Sequence, residues 1–210
     1  MGLKFTESKG SAQKSSLKQY TYTDGNNKVR LVGDILPRYI YWADGENKKQ
    51  IPMECLSFNR DLETFDNVET DWIKKYHPEK RCGWAYAIQC IHDGEVKILN
   101  LKKKLMEQIK LAADDLGDPT DPKTGWDVCF LRAKTGPNVY NVEYTLQALK
   151  CKPRALDSAE QTLIKELKSM DDILPRPSTD QQKTFLESVM GTAAVPDEVS
   201  KELEAEDLPY

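Results

Sequence analysis

Hydrophobic and polar positions along this chain alternate first with the period of strands, then with that of a helix, then with that of strands again. "KVRLVGDIL" and "RYIYWA" are β-branched and aromatic runs, parted at Pro37, and read as strands. "DGEN" follows with Asp44 and Gly45 at its centre, a hairpin signal that makes "QIPMECLSF" the return strand. Residues 59–82 are polar, with a short helix at "DWIKKYH" stopped by Pro78. "GWAYAIQCI" and "EVKILNL" form a second hairpin across "HDGE". In "KKKLMEQIKLAADDL", Leu105, Ile109 and Ala112 fall at i, i+4 and i+7 with Met106 and Ala113 beside them, which predicts a helix ended by "GDPTDPKTG". "WDVCFLRAK" and "VYNVEYTLQALKC" are two further strands joined by "TGPN".

Several strands, a helix and a final hairpin predict a mainly β protein with added helices. A five-stranded Greek-key barrel of the OB type places a helix between its third and fourth strands, so an OB-fold with extra early strands is the expectation, another small mixed barrel the alternative. Beyond it, "LDSAEQTLIKELKSM" starts with Asp157 and Glu160 three apart, a capping box, and carries Leu156, Leu163, Ile164 and Leu167 on one face. "LPRPS" breaks this helix and "TDQQKTFLESVM" is a shorter one. The division expected is a flexible basic N-terminal arm at 1–27, an OB core at 28–155, a helical C-terminal extension at 156–194 and an acidic disordered tail at 195–210.

Charge sharpens this division. The 210 residues carry a net charge of −4, but residues 156–210 hold 5 bases against 13 acids, and residues 1–155 hold 25 against 21. A mildly basic body thus precedes an acidic end. The arm sets Lys4, Lys9, Lys14 and Lys18 against Glu7 and Asp24. The tail has six acids and Lys201. No run approaches the about 18–20 apolar residues of a membrane span, and "MGLKFTESKGSAQKSS" lacks the apolar core of a signal peptide. "MGLKFT" does fit the short myristoylation pattern of Gly2 with Thr6. Five cysteines without a CxxC predict reduced thiols in a cytosolic setting.

Catalytic chemistry has little to stand on. His77 and His92 sit in no HExxH, and the chain has no GxSxG, P-loop or GxGxxG, so no enzyme is expected. Cys55, His77, Cys82, Cys90 and His92 gather in one segment and could hold a structural zinc, but their spacing fits no compact template and Cys90 in a strand serves as a small buried hydrophobe. No cofactor is therefore expected. Nucleic-acid chemistry fits better. Alternate strand positions share a face, so Tyr39 and Tyr41 point one way and Arg38, Ile40 and Trp42 the other; Trp84 and Tyr86 share a face in a later strand. Tyr140 and Tyr144, with Val142 and Leu146, read as core. The candidate stacking surface is Arg38, Tyr39, Tyr41, Trp42, Trp84 and Tyr86, and the candidate phosphate contacts are Lys74, Lys75, Arg81, Lys102, Lys103, Arg132 and Lys134. Cations track phosphates and rings stack on bases of any identity, which is how single strands are held without sequence readout. The competing readings are that the rings fill a core and that Lys102, Lys103 and Lys104 are a solvated helix start.

"KVRLVGDILPRYIYW", "CGWAYAIQCI", "VKILNLKKKLMEQIK" and "GWDVCFLRAKTGPNVYNVEYTL" resemble the core of the single-stranded DNA-binding (helix-destabilising) proteins of T4-like phages, most nearly those of marine phages, over about residues 28–152. The resemblance implies an OB-fold core, a basic arm for cooperative self-association on DNA, and an acidic tail that recruits replication, recombination and repair proteins in the cytoplasm of the infected bacterial host. The family's prototype binds zinc through a histidine and three cysteines including a CxxC; this chain has none, and zinc is not carried over. For the prototype's basic cluster the arm offers only Lys14, Ser15, Ser16 and Lys18. The function expected is sequence-independent coating of single-stranded DNA. The alternative is an adaptor of the replication machinery that does not grip DNA.

Overall fold

The computed structural model describes residues 17–44, 50–138 and 141–190. The myristoylation pattern, the arm up to residue 16, the tip of the first hairpin, Tyr140 and the acidic tail lie outside them. The described residues fall into two compact units, one from residues 17–34, 88–100, 107–138 and 141–175, the other from 35–44, 50–87, 101–106 and 176–190.

The first unit is organised on a mixed six-stranded sheet. Its strands are β1 (Lys18–Gln19), β2 (Gly25–Leu36), β8 (Ala87–His92), β9 (Glu95–Asn100), β10 (Asp127–Lys134) and β11 (Val142–Leu146), in the order β1-β9-β8-β2-β10-β11. β10 pairs antiparallel with both β2 and β11, and β1 runs parallel to β9. The β8–β9 turn is the one "HDGE" predicts: Asp93 and Gly94 have φ of 53° and 72°, the left-handed pair of a primed hairpin turn. Strand pairing among the described residues leaves β1 and β11 as two sheet edges and does not close a barrel. Trp126, wholly buried, donates its indole N–H to the Gly117 carbonyl at 2.9 Å.

Residues 17–27, expected in a flexible arm, are folded. Tyr20 is buried, its hydroxyl 2.8 Å from Asn27 Oδ1, and Tyr22 donates to the Asn100 carbonyl at 2.7 Å while its ring meets Phe130 and Tyr144 edge-on. These two phenols are the anchors that a Ser-, Lys- and Thr-rich composition conceals. The helix predicted after Leu156 is shorter, α3 (Ser158–Ile164), but has its capping box: Asp157 accepts from the Glu160 N–H, and Glu160 returns the bond to the Asp157 N–H. Leu156, Leu163, Ile164 and Leu167 pack on Val32, Ile91 and Val96 of the sheet. A further short helix, α4 (Met170–Ile173), follows. Arg154 ties this segment to the sheet, contacting Asp127 at 2.7 Å and Glu160 at 2.7 Å, while Lys28 reaches Asp127 at 2.9 Å.

The second unit holds a three-stranded sheet of β4 (Gln50–Glu54), β3 (Tyr39–Asp44) and β7 (Gly83–Trp84), in the order β4-β3-β7, and a small hairpin of β5 (Phe58–Asn59) and β6 (Thr64–Phe65). "GWAYAIQCI", expected as one strand, is two: β7 joins this sheet and β8 the larger one, with Ala85 and Tyr86 in neither strand, the Ala85 N–H donating to the Arg38 carbonyl. Helix α1 (Trp72–Tyr76) is capped by Asp71, whose carboxylate accepts from the N–H groups of Ile73 and Lys74. Helix α2 (Lys103–Leu116), of which residues 103–106 belong to this unit and 107–116 to the first, ends at Gly117, φ 79°, whose N–H bonds back to Ala113.

Helix α5 (Thr179–Met190) completes the second unit's core. Leu186 is buried among Tyr41, Met53, Phe58, Trp72 and Tyr86. Buried Gln182 accepts from the Trp72 N–H at 2.8 Å and donates to the Glu54 carbonyl at 2.8 Å. Arg176 donates to the Leu56 carbonyl at 3.0 Å and pairs with Glu69 at 3.1 Å. The segment expected as one extension at 156–194 is thus divided, residues 156–175 belonging to the first unit and 176–190 to the second.

Candidate nucleic-acid interface

The predicted stacking residues all fall in the second unit, and strand β3 sorts them. Its alternation sends Tyr39, Tyr41 and Ala43 to one face and Trp42 to the other. The inward face is the core: Tyr41 is 3% exposed, donates to Asp71 Oδ2 at 3.3 Å and accepts from Cys55 Sγ at 3.4 Å. Burial pushes its phenol well above the ordinary tyrosine pKa. Trp42 is 52% exposed.

Tyr86 is also buried, its hydroxyl donating to Glu63 at 2.8 Å. Trp84 lies flat against it with centroids 3.5 Å apart and planes 9° from parallel, and donates its indole N–H to the Leu101 carbonyl at 2.8 Å. Expected on the stacking surface, Tyr41 and Tyr86 are instead core residues. The reason is that the three-stranded sheet has one face covered by Phe58, Trp72 and α5, and they point into it. Tyr39 and Trp84 are half-buried at the margin, 6.2 Å apart and edge to face.

Phe65 on β6 escaped the sequence reading. It is 50% exposed and meets Tyr39 at 5.0 Å and Phe58 at 5.1 Å. Its signal is faint: Leu62, Phe65 and Val68, all exposed, are the apolar residues of an acid-rich stretch with no strand period. Asn59 holds this hairpin, accepting from the Asp61 and Leu62 N–H groups and donating to Asp66 at 2.7 Å.

The predicted cations divide into bound and open. Arg38 is half-buried and donates Nε–H to the Ala85 carbonyl at 3.0 Å; burial lowers its pKa, and it holds β3 to the segment after β7. Arg132 and Lys134 lie in the first unit, and both pair with Asp24, Lys134 at 3.7 Å. Both thus share one carboxylate, a pairing that sequence spacing gave no means to foresee. Lys74 is exposed and donates to Asn67 at 2.6 Å, a neutral partner that leaves its charge unmatched. Lys102 is exposed just before α2. Lys75, Arg81, Lys103 and Lys104 are exposed and make no ion pair among the described residues. Lys103 and Lys104 crowd the first turn of α2, which has no acid, at the end where the helix dipole already favours an anion. Acids occupy the preceding stretch instead: Asp61, Glu63, Asp66, Glu69 and Asp71 fall between Arg60 and Lys74 with no base among them.

Of the residues considered for zinc, Cys55, His77 and Cys82 belong to the second unit and Cys90 and His92 to the first; among the described residues no three His, Cys, Asp or Glu side chains gather as a candidate metal cluster. A cavity of about 490 Å³ in the first unit is lined by Lys28, Asp127, Arg154 and Glu160, whose charges already satisfy one another.

No family model matches the chain. Over 50 residues, 24% of this chain, it is 42% identical to a probable ssDNA-binding protein of Escherichia phage T5. The match spans 20% of that relative's length, and falls on a T5 protein rather than on a T4-like one.

Proposed function

We propose that this chain is a non-enzymatic protein that binds single-stranded DNA without reading its sequence, and that the second unit supplies the grip. The observation that carries the reading is an open indole, Trp42, in the same unit as the marginal rings Tyr39, Trp84 and Phe65 and the unpaired cations Lys75, Arg81, Lys103 and Lys104. An exposed ring beside cations that make no ion pair is what a flexible polyanion with exposed bases uses. A phosphate at the start of α2 relieves the repulsion of its lysines. The phage T5 relative supports the same reading by its name.

The strand order supports an OB kinship. β2, β8, β9, β10 and β11, with α2 between β9 and β10, follow the order of an opened five-stranded OB barrel. Residues 35–87 then stand in the loop between its first two strands, one of those that meet oligonucleotides in such folds. On this reading the protein coats unwound strands in phage replication, recombination and repair, as the T4-like resemblance implies, associates with itself along the strand, and recruits partner proteins through residues 195–210.

The adaptor reading is favoured by a different observation, the exposed apolar trio Leu62, Phe65 and Val68 set among acids, a surface suited to a basic protein. Titration with poly(dT) separates the two. Bases stacked on Trp42 quench its emission, and affinity falls with salt at a log–log slope of about −0.7 per phosphate neutralised. Unchanged fluorescence and no salt-dependent binding refute the DNA reading.

A further inference from the structure

We propose that Lys75 and Lys183 form a phosphate-binding subsite at the rim of Trp72, which carries the DNA interface onto the C-terminal helix α5; this rests on the single-strand reading above. Sequence reasoning set that helix apart from the DNA-binding core and gave Lys183 no role.

The ammonium of Lys183 lies 4.7 Å from the centroid of the Trp72 indole and that of Lys75 lies 5.4 Å from it, so two cations from helices far apart in sequence are at most about 10 Å from each other. Neither makes an ion pair among the described residues. The ring's quadrupole draws each of them, yet nothing relieves their mutual repulsion. Trp72 itself is buried, with Tyr76 stacked on it at 5.3 Å and 21°, and its indole N–H is buried without a partner.

The acids of these helices do not supply the missing counter-charge. Asp71 is buried and spends its carboxylate on the α1 cap. Asp180 and Glu187, one turn either side of Lys183 on α5, pair with neither lysine among the described residues. Lys183 is also held in place: Gln182 before it bonds the Trp72 N–H and the Glu54 carbonyl, and Leu186 after it is in the core. Phosphodiesters of one bound strand, one at each ammonium, neutralise both without any rearrangement of the helices, and the positions of the two ammoniums are fixed before DNA arrives.

The test is the salt dependence of poly(dT) affinity for the full chain and its Lys75→Gln, Lys183→Gln, double and Lys183→Arg variants, with Lys165→Gln at the C-terminal cap of α3 as the control. Glutamine keeps most of the stem that covers Trp72 and removes only the charge; thermal melts check that the fold persists. Each single Gln variant flattens the log–log slope by about 0.7 and the double by about 1.4, so that affinity drops about fivefold per lysine at 0.1 M salt and converges near 1 M. Lys183→Arg restores the slope and Lys165→Gln leaves it unchanged. A Lys183→Gln slope equal to that of the unaltered chain, a loss that Lys183→Arg does not restore, or an equal loss in Lys165→Gln overturns the subsite while the DNA reading stands. No binding by the unaltered chain overturns both.

Discussion

Tyr41 and Trp42 are neighbours in one strand, and substitution at each should injure a different property. Trp42→Ala removes a ring that is half open and packs little of the core. Its effect on stability should stay below about 1 kcal/mol. If bases stack on it, the loss in single-strand binding is about 1–3 kcal/mol, or roughly 5- to 150-fold in Kd. Tyr41→Ala empties a site 3% exposed among Met53, Cys55, Phe58 and Trp72 and should cost about 3–5 kcal/mol of stability, a large part of a typical total of about 5–15 kcal/mol. Tyr41→Phe is the readable partner. It deletes two hydroxyl bonds, one to Asp71 and one from the Cys55 thiol, at a site where Asp71 still accepts from the Ser57 N–H, and so should cost about 1–2 kcal/mol and leave binding intact. Urea melts give the stabilities and fluorescence titration with poly(dT) the affinities. A Trp42→Ala protein that binds as tightly as the parent, or a folded Tyr41→Phe protein that binds far more weakly, refutes the division of the strand into a core face and a DNA face.

Four further outcomes follow from the structure. The Asp127 carboxyl is penalised by burial, but its bonds to Arg154 and Lys28 outweigh this and hold it below its ordinary value, and Arg154 lowers Glu160 likewise. Such depressed acids stabilise the fold fully above their unfolded pKa of about 4 and lose that contribution as pH falls through the folded values. Melting temperature should therefore drop steeply below about pH 4, and Arg154→Met should flatten that drop while lowering stability at neutral pH by about 3 kcal/mol; a parallel drop in both proteins contradicts the assignment. With a thiol-specific reagent at pH 8, half-buried Cys82 should react first, while Cys55 and Cys90, pushed up to about 12 by burial, react only on unfolding; more than one fast thiol contradicts this. Deleting residues 195–210 should leave the melting temperature unchanged and strengthen poly(dT) binding at low salt, because a −5 segment no longer competes for the cations; unchanged affinity at low salt refutes the competition. Deleting 176–210 should by contrast melt the second unit, seen as loss of near-ultraviolet dichroism, since Arg176, Gln182 and Leu186 go with it.

Local rules made much of the fold legible in the sequence. The "HDGE" turn, the Asp157–Glu160 cap and the Leu105/Ile109 stripe each depend on residues a few positions apart, and each is present. The alternation of β3 was legible too, but not which face would be buried. That depends on Phe58, Trp72 and Leu186, brought in from three other elements. The same limit explains Arg132 and Lys134, which share Asp24 on a distant stretch of chain, and Tyr20 and Tyr22, which order a segment whose composition reads as loose. It also explains Lys183, whose position over Trp72 exists only because α5 packs beside α1.

The bond from the Trp72 N–H to Gln182 closes a separation of 110 residues. On a ribosome adding about 5–20 residues per second, α1 must therefore wait on the order of ten seconds for the helix that seals its hydrophobic side. Until then the nascent second unit lacks its last wall. The chain thus gains its full set of ring and cation partners only at the end of synthesis, and an early stop or a proteolytic cut before Leu186 yields a product with the first unit's sheet but without a finished second unit.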